Sequence, residues 1–558
     1  MIRDTLHASI ANAVTKLGYE VPEFSLEHPA DLLHGDYASN VALVLGKVAG
    51  KSPRDLAQEI VDTLVVPEDV DKVTLAGPGF INFHLSRMFF RDSIRDILNA
   101  GPKWGAHNTL KGKRALIEHT QPNPFKPFHI GHLMSNTIGE SISRLYEFSG
   151  AEVRRVNYQG DVGLHVAKCL WGLRKMGGDP SNVEDLAQAY VEGNRAYEDQ
   201  EHARAEIVAF NTMVYEEAAE IQEAYKTGRT VSLEHFEELY RLLDTTFDHY
   251  FFESDTYKPG RALVKEGFTK GVFVESDGAV VFPGEAHGLH TRVFLNSQGL
   301  PTYEAKELGL VQLKTEKWPF DISITTTAVE QAEYFKVVFK ALSLLRPEWS
   351  DKLQHIPHGM MTLASGKMSS RKGNVITGES LINDMLALAK EKVADRQLTD
   401  EEKDDITKAV AIAGIKYSIL KQKAGKNITF EPGASLSFEG DSGPYLQYAY
   451  TRAASVLERA RTERVAPATE LAPREATDLE RILYRFPEVV LRAREEHEPH
   501  FVTTYLIEVA STWNTWYASC KILDDSLETP YKLAIANAVA HTLKNGLHLL
   551  GIRAPQKM

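Results

Sequence analysis

HIGHLMSNTIGESISRLYEFSG, residues 129–150, follows RALIEHT (114–120) and QPNPFKPF (121–128), and reading the three together decides the fold. Ala115-Leu116-Ile117 is a short apolar run that fits a core strand, and Pro122, Pro124 and Pro127 then bar regular structure. Met134, Ile138, Ile142, Leu145 and Phe148 recur at spacings of four, four, three and three, which is one face of a helix. Gly150 can end that helix in the left-handed conformation. The helix opens on His129-Ile130-Gly131-His132, so two imidazoles and a bare backbone stand at the positive end of its dipole, a place to hold phosphate. A lone surface histidine is usually idle. Two of them at i and i+3 on a helix start, directly after KPF, favour the phosphate reading.

Working outward, AEVRRVNYQGDVG (151–163) reads as a second strand closing in a Gly160-Asp161 turn. A strand, a crossover helix and a strand of these lengths make a parallel pair with its ligand at the carboxyl edge. From about Ala167 to Gly267 the pattern becomes helical and charged, as an insertion would. Strand alternation returns in GVFVESDGAVVF (271–282), RVFLNSQGLPTY (292–303) and DISITTT (321–327). In HGMMTLASGKMSSRKGNVIT (358–377), Gly366 and Gly373 flank Lys367, Arg371 and Lys372. Glycines bracketing cations suit a loop that closes on phosphates.

The flanking regions differ in character. Residues 1 to about 100 read as a small α/β domain in which Phe80, Asn82 and Phe83 lie on an extended segment. They could stack on and hydrogen-bond a base, although core aromatics with a turn asparagine are the commoner case. From about Thr399 onward the chain is nearly all helical. There, Trp513, Trp516 and Tyr517 at helical spacing read first as core.

Bulk numbers bound the function. With 558 residues, 43% hydrophobic and 25% charged, the chain reads as an ordinary globular protein of three or four domains. A net charge of −13 argues against a surface that grips any polyanion, while leaving room for a local basic face. Cys169 and Cys520 are the only cysteines, too few for a disulfide framework or a four-ligand zinc site, and they point to the reducing cytoplasm. No secretory signal and no apolar run of about 20 residues is present, so a membrane partner is not expected.

HIGH after a strand, with KMSSR (367–371) beyond it, resembles the paired ATP-binding motifs of class I aminoacyl-tRNA synthetases. A lone HxGH is shared with nucleotidylyltransferases. The pair in this order is far more specific. Along the whole chain the sequence is similar to the arginyl-tRNA synthetase family. The matching segments are HGDYASNVAL (34–43), IEHTQPNPFKPFHIGHL (117–133), NYQGDVG (157–163), LSFEGDSGPYLQYAYTRA (436–453) and LKNGLHLLGIRAP (543–555). The resemblance implies a multidomain α/β protein with a class I Rossmann-like parallel-sheet catalytic domain. A small N-terminal α/β domain and an all-α C-terminal anticodon-binding bundle complete it. The expected boundaries are 1–105 for the N-terminal domain and 106–395 for the catalytic domain, with its insertion at about 167–267. A connecting stem follows at 396–440 and the helical domain at 441–558.

It also implies a two-step reaction, in which L-arginine attacks ATP to give an adenylate and the arginyl group then passes to tRNA(Arg). His129, Gly131, His132, Lys126 and Lys367, with Met368, Ser369, Ser370 and Arg371, would hold ATP. Of these, His129, His132, Lys126 and Lys367 would carry the catalytic charge. Arginine would meet Glu118 and Asn123 at its α-amino and carboxylate end, and Tyr303, Glu307 and Gln331 at its guanidinium. Many members carry aspartate where this chain has Glu307. Phe80 and Asn82 would reach the tRNA elbow, and Tyr445, Gln447, Tyr448 and Arg452 its anticodon arm. Mg2+ would arrive with ATP as part of the substrate, with no metal held by the protein itself. The chain is expected to be a cytoplasmic monomer, and to need tRNA before it activates arginine.

Overall fold

Ala115, Leu116 and Ile117 are 2%, 1% and 0% exposed, because their strand, Arg114–Glu118, runs up the middle of a five-stranded parallel sheet. The computed structural model describes residues 1–364 and 377–558. The sheet order is Leu353–His358, Ile322–Ala328, Arg114–Glu118, Glu152–Gln159, His249–Phe252, with every pair parallel. The chain leaves the central strand toward Glu152–Gln159 and later returns on its other side as Ile322–Ala328. This reversal opens a crevice at the carboxyl ends of Arg114–Glu118 and Ile322–Ala328, where doubly wound sheets place their ligands. Val156, Leu263, Phe273, Phe294, Leu308, Val311, Val338 and Leu342 form the core on Leu116.

The crossover from the first strand is the helix Ile130–Phe148, ended by Gly150 at φ +88°. Met134, Ile138, Ile142 and Leu145 are buried as their spacing predicts. The opposite face is buried as well, so the helix is enclosed from His132 to Tyr146. Its buried Glu140 is held by two arginines: Arg144 Nε donates to Glu140 Oε1 at 2.7 Å, and Arg155 Nε to Glu140 Oε2 at 2.8 Å. Gly139 is required where the helix crosses the strand end, since a Cβ there would lie 2.2 Å from the Cβ of His119.

The insertion contains the helices Leu164–Met176, Val183–Asp199, Glu201–Tyr215 and Ala219–Leu242. Its expected extent to Gly267 was too long, because His249–Phe252 is the edge strand of the parallel sheet. Four strand residues between two long helices are too few to break a helical periodicity. Beyond that strand, Val274–Ser276, Ala279–Phe282 and Arg292–Leu295 form a small antiparallel sheet. Lys416 of the helix Asp400–Leu420 is buried and donates to the carbonyls of Leu243 at 2.5 Å and Gly551 at 2.8 Å.

These elements belong to one compact unit, comprising Ala106–Tyr448, Val490–Ile507 and Gly546–Met558. The other comprises Met1–Gly105, Ala449–Val489 and Glu508–Asn545. In it, four strands in the order Leu26–Glu27, Tyr37–Ser39, Phe80–Leu85, Val70–Ala76 pack on helices through Leu6, Ile10, Ile60, Ile81, Phe83 and Phe90. Tyr484 joins this core, and Arg87 Nη1 pairs with the buried Glu480 at 2.8 Å. The N-terminal segment is thus knitted to part of the helical C-terminal region as a single unit.

Candidate active site

The loop that links the central strand to its helix is strained on purpose-built contacts. Thr120, Gln121 and Phe125 all have φ between +56° and +80°, a region that non-glycine residues seldom occupy. Ser135 holds this backbone, accepting from Thr120 N–H at 2.9 Å and donating to Thr326 C=O at 2.8 Å. Asn157 Oδ1 accepts from Gln121 N–H at 3.0 Å, and Ser232 Oγ from Phe125 N–H at 3.1 Å. The loop therefore has one shape, and it delivers His129 to the N-cap of the helix.

His129 and His132 stack there with ring centroids 3.4 Å apart. The backbone N–H of His129 donates to His132 Nδ1 at 3.2 Å. An Nδ1 that accepts leaves the proton of the neutral ring on Nε2, as a donor. Both rings are held neutral. Burial, then the cation of Lys126, lowers His129 to about 4. Burial, His129 and Lys126 push His132 well below its ordinary range. Lys126 is itself lowered by burial and by Lys168, and lies 5.5 Å over the Tyr190 ring. The space above Gly131 is occupied by its neighbour, since a Cβ there would stand 3.0 Å from His129 Nδ1 and Cε1.

Lys367, Met368, Ser369, Ser370 and Arg371 lie outside the described residues. The chain on either side is anchored beside the histidines. Met361–Leu363 pairs with Ile428–Phe430, Thr377 bridges to His129, and Gly378 N–H donates to Phe128 C=O at 2.8 Å.

A second group gathers at the same sheet edge. Glu118, 1% exposed, accepts from Gln121 Nε2 at 2.5 Å and pairs with the equally buried Lys314. Its carboxylate thus sits among these partners at the end of the central strand. Glu307, 5% exposed, has its Oε1 buried without a hydrogen-bond partner. Burial first, and Glu118 second, raise the Glu307 carboxyl to about 8, against the opposing pull of Lys314. Burial and the Glu307 charge likewise raise the hydroxyl of Tyr334, and burial, Glu253 and Glu307 that of Tyr158, whose Oη lies 3.3 Å from Thr256 Oγ1. One turn before Glu307, Tyr303 is 70% exposed at the mouth. Its ring lies 5.3 Å from Lys306 Nζ, and its carbonyl accepts from Tyr334 Oη at 3.1 Å. Lys306 also pairs with buried Glu253. Asn123 Oδ1 accepts from Gly160 N–H at 2.8 Å. Gln331 is exposed at the end of the turn Val329–Gln331, immediately before the helix Ala332–Leu345 that carries Tyr334. Sequence reasoning missed Lys314, Lys306, Glu253, Gln121, Tyr158 and Tyr334. Lys314 had a signal, because 303, 307, 311 and 314 trace one face of the helix Tyr303–Lys317.

The residues expected at tRNA fare unevenly. Phe80 is 37% exposed, whereas Asn82 is 2% exposed with a buried, unpartnered Oδ1. Asn82 pairs in the middle of its sheet, between Ala38 and Thr74, which removes it from the surface. Gln447 is also buried, and its Nε2 donates to the carbonyls of Ala409 at 3.1 Å and Arg553 at 2.8 Å. It is a structural tie and not a surface contact. Tyr445 and Tyr448 are partly exposed. In the other unit, Arg452 bonds Asn514 at 2.7 Å and lies 4.8 Å over Tyr517, while Trp513 is core. Among the described residues, no group of three His, Cys, Asp or Glu side chains could hold a metal ion, and no helix is long and apolar enough to cross a membrane.

A doubly wound parallel sheet whose switch-point helix opens on HIGH, with the flanks of KMSSR beside it, defines a class I aminoacyl-tRNA synthetase. Known proteins narrow the class. The catalytic domain described as tRNA synthetases class I (R) matches residues 93–431. The DALR anticodon-binding domain matches 446–558 and the arginyl-tRNA synthetase N-terminal domain 4–85. The arginine--tRNA ligase of Fusobacterium nucleatum is 32% identical over 540 residues, covering 94% of this chain and 93% of its own. That of Halothermothrix orenii is 30% identical over 560 residues, covering 98% of each. The solved arginyl-tRNA synthetase of Thermus thermophilus superposes with a TM-score of 0.84 at 26% identity over the whole of both chains. The chain belongs to the arginyl-tRNA synthetase family, and its reaction is the ATP-dependent ligation of arginine to tRNA.

Proposed function

We propose that the arginine side chain enters past Tyr303 and docks its guanidinium on Glu307, with Gln331 at the same end and Asn123 at the α-amino and carboxylate end. The observation that carries this reading is the buried Glu307 oxygen without a hydrogen-bond partner, one helical turn from the exposed Tyr303. A planar cation with several donors suits it. ATP lies against the start of the signature helix, beside His129 and His132. The arginine carboxylate attacks the α-phosphorus, the bond to the bridging oxygen breaks, and pyrophosphate leaves with that electron pair. A carboxylate needs no general base, so the protein contributes alignment and charge. His132 donates its Nε2–H to phosphate oxygen, and His129 and Lys126 add a second donor and a cation. Lys367, with Met368, Ser369, Ser370 and Arg371, is assigned to the outer phosphates by the motif alone. Mg2+ comes in with ATP as substrate. Tyr445, Tyr448 and Arg452 remain our assignments for the anticodon arm of tRNA(Arg), and Phe80 for the elbow. We take the enzyme as a cytoplasmic monomer.

The test is arginine-dependent pyrophosphate exchange with and without tRNA(Arg). Exchange should require tRNA and should not occur with lysine or glutamine. Exchange with another amino acid but not arginine would refute the assignment of the pocket.

A further inference from the structure

The insertion helix Ala219–Leu242 turns one face, Gly228, Ser232, His235 and Phe236, toward the signature loop. Ser232 Oγ accepts from Phe125 N–H at 3.1 Å, and the Phe236 ring centroid lies 6.4 Å from that of Phe128. A Cβ on Gly228 would stand 2.6 Å from Phe125 Cε1, so helix and loop are pressed together there. His235 bonds elsewhere. Its Nε2 lies 3.0 Å from Glu379 Oε2, in the first turn of the helix Gly378–Val393. The start of that helix braces the histidines. Thr377 bridges to His129, Gly378 N–H donates to Phe128 C=O at 2.8 Å, and a Cβ on Gly378 would lie 3.0 Å from the carbonyl oxygen of His129. Thr377 Oγ1 caps the same turn, accepting from Ser380 N–H at 2.9 Å. Lys126, Phe128, His235 and Glu379 line one cavity. The insertion, the signature loop and the segment from Thr377 onward thus close a ring of contacts around the helix start.

We propose that His235 is a positioning residue for the ATP site: bound to Glu379, it holds the start of the helix Gly378–Val393, which through Thr377 and Gly378 fixes the backbone of Phe128 and His129 from which the phosphate donors spring. The inference rests on the reading that His129 and His132 meet ATP, and adds what keeps them in place. The tie is charged. Glu379 raises the imidazole above its ordinary 6.5 against the effect of burial, and His235 in turn lowers the Glu379 carboxyl. Glu238, on the same helix as His235, has its Oε2 3.9 Å from Nδ1 and adds to the rise, while Lys126 of the signature loop shares the cavity. A raised imidazole keeps its charge below its ordinary value and loses it as the pH rises through the raised one. The contact is therefore an ion pair in acid and a neutral hydrogen bond in base. Its side chains are 18% and 38% exposed, so solvent screens the pair and its effect is on geometry more than on stability.

The experiment measures kcat/KM for ATP and the KM for arginine by pyrophosphate exchange with tRNA(Arg), from pH 6 to 9, on full-length proteins. These are the wild type, His235→Ala, His235→Gln, Glu379→Gln and the double variant His235→Ala/Glu379→Gln. The titration of ATP itself cancels in the ratio of variant to wild type. His235→Ala should lower kcat/KM for ATP about tenfold at pH 6.5, because donors moved by a fraction of an ångström lose alignment. Its arginine KM should stay within about threefold of wild type. The deficit should narrow toward pH 9, where the wild type has lost the imidazolium charge. Glu379→Gln should show the same deficit, and the double variant no more than either single one, since all three remove one tie. His235→Gln keeps a donor without the charge and should stand closer to wild type at every pH. An ATP kcat/KM within about twofold of wild type in both single variants, or losses that multiply in the double variant, would overturn the inference. So would a deficit that ignores pH, or an arginine KM that rises as far as ATP use falls, as a general loosening of the fold would give. If His235→Ala fails to fold, His235→Gln and Glu379→Gln decide by the same measures. His132→Ala, run in parallel, separates the two readings. ATP use unchanged in His132→Ala would overturn the phosphate reading, whereas ATP use lost there but untouched in the His235 and Glu379 variants would refute the positioning role alone.

Discussion

Arginine binding should expel a proton. The Glu307 carboxyl is raised to about 8 from an ordinary 4.5, chiefly because its charge would be buried, with Glu118 adding to the rise and Lys314 opposing it. A guanidinium laid against Glu307 favours the ionised form, so arginine selects the minority of molecules that have lost the proton. That minority shrinks as the pH falls, so the apparent affinity for arginine should weaken steadily below neutral pH. The link to stability has a definite sign. A carboxyl whose folded value lies above its unfolded value is protonated in the native state between about 4.5 and about 8, where the unfolded chain has already ionised. Its contribution is thus complete below about 4.5 and is lost as the pH rises through 8. Bound arginine supplies the missing countercharge, so the rise in unfolding temperature that it produces should grow from pH 6 to pH 8.

Titration calorimetry in two buffers of different ionisation enthalpy counts the proton directly. We expect proton release on arginine binding that diminishes as the pH rises, because burial and Glu118 raise the Glu307 carboxyl. Glu307→Gln should release none and should bind arginine more weakly by about a hundredfold or more, having lost a charge-assisted contact. An affinity that stays flat from pH 6.5 to 8.5, or binding without proton release, would refute the placement of the guanidinium on Glu307.

The signature helix gives three further expectations. His132→Ala should lower adenylate formation by at least about a hundredfold while leaving tRNA binding within about threefold, because a donor aimed at developing charge is lost and no tRNA contact is. Equal loss of both activities in filter-binding and exchange assays would show the helix start to be misread. Gly131→Ala places a Cβ 3.0 Å from the His129 ring, so the ring must shift by a few tenths of an ångström. The exchange rate should drop about tenfold with an unfolding temperature within about 2 °C of wild type, since the strain falls on the His129 ring at the helix start and not on the apolar core. Ser135→Ala strips one partner from each of two buried backbone groups, Thr120 N–H and Thr326 C=O. At about 1–3 kcal/mol for each unsatisfied group, it should depress the unfolding temperature by roughly 4 °C or more and raise the arginine KM, because the same loop carries Gln121 and Asn123.

How much of this was legible in the chain depends on where the controlling physics lies. The strand–loop–helix of residues 114–150 could be read directly, because apolar spacing, three prolines and a terminal glycine are local signals, and the parallel sheet followed from the crossover they imply. The edge strand His249–Phe252 could not, since its pairing partner is some ninety residues away and its own four residues carry too little pattern. Asn82 and Gln447 illustrate a deeper limit: a polar residue between aromatics looks the same in sequence whether it faces RNA or fills a gap in a core, and only the packing separates the two. The amino-acid pocket shows the converse. Glu118 and Glu307 could be picked out by type, but Lys314, two turns along a helix from one of them, pairs with the other, and only the fold brings it there. Charge assignment in a buried site is a property of the whole cluster, and a residue's chemistry there is fixed by which neighbour reaches it first.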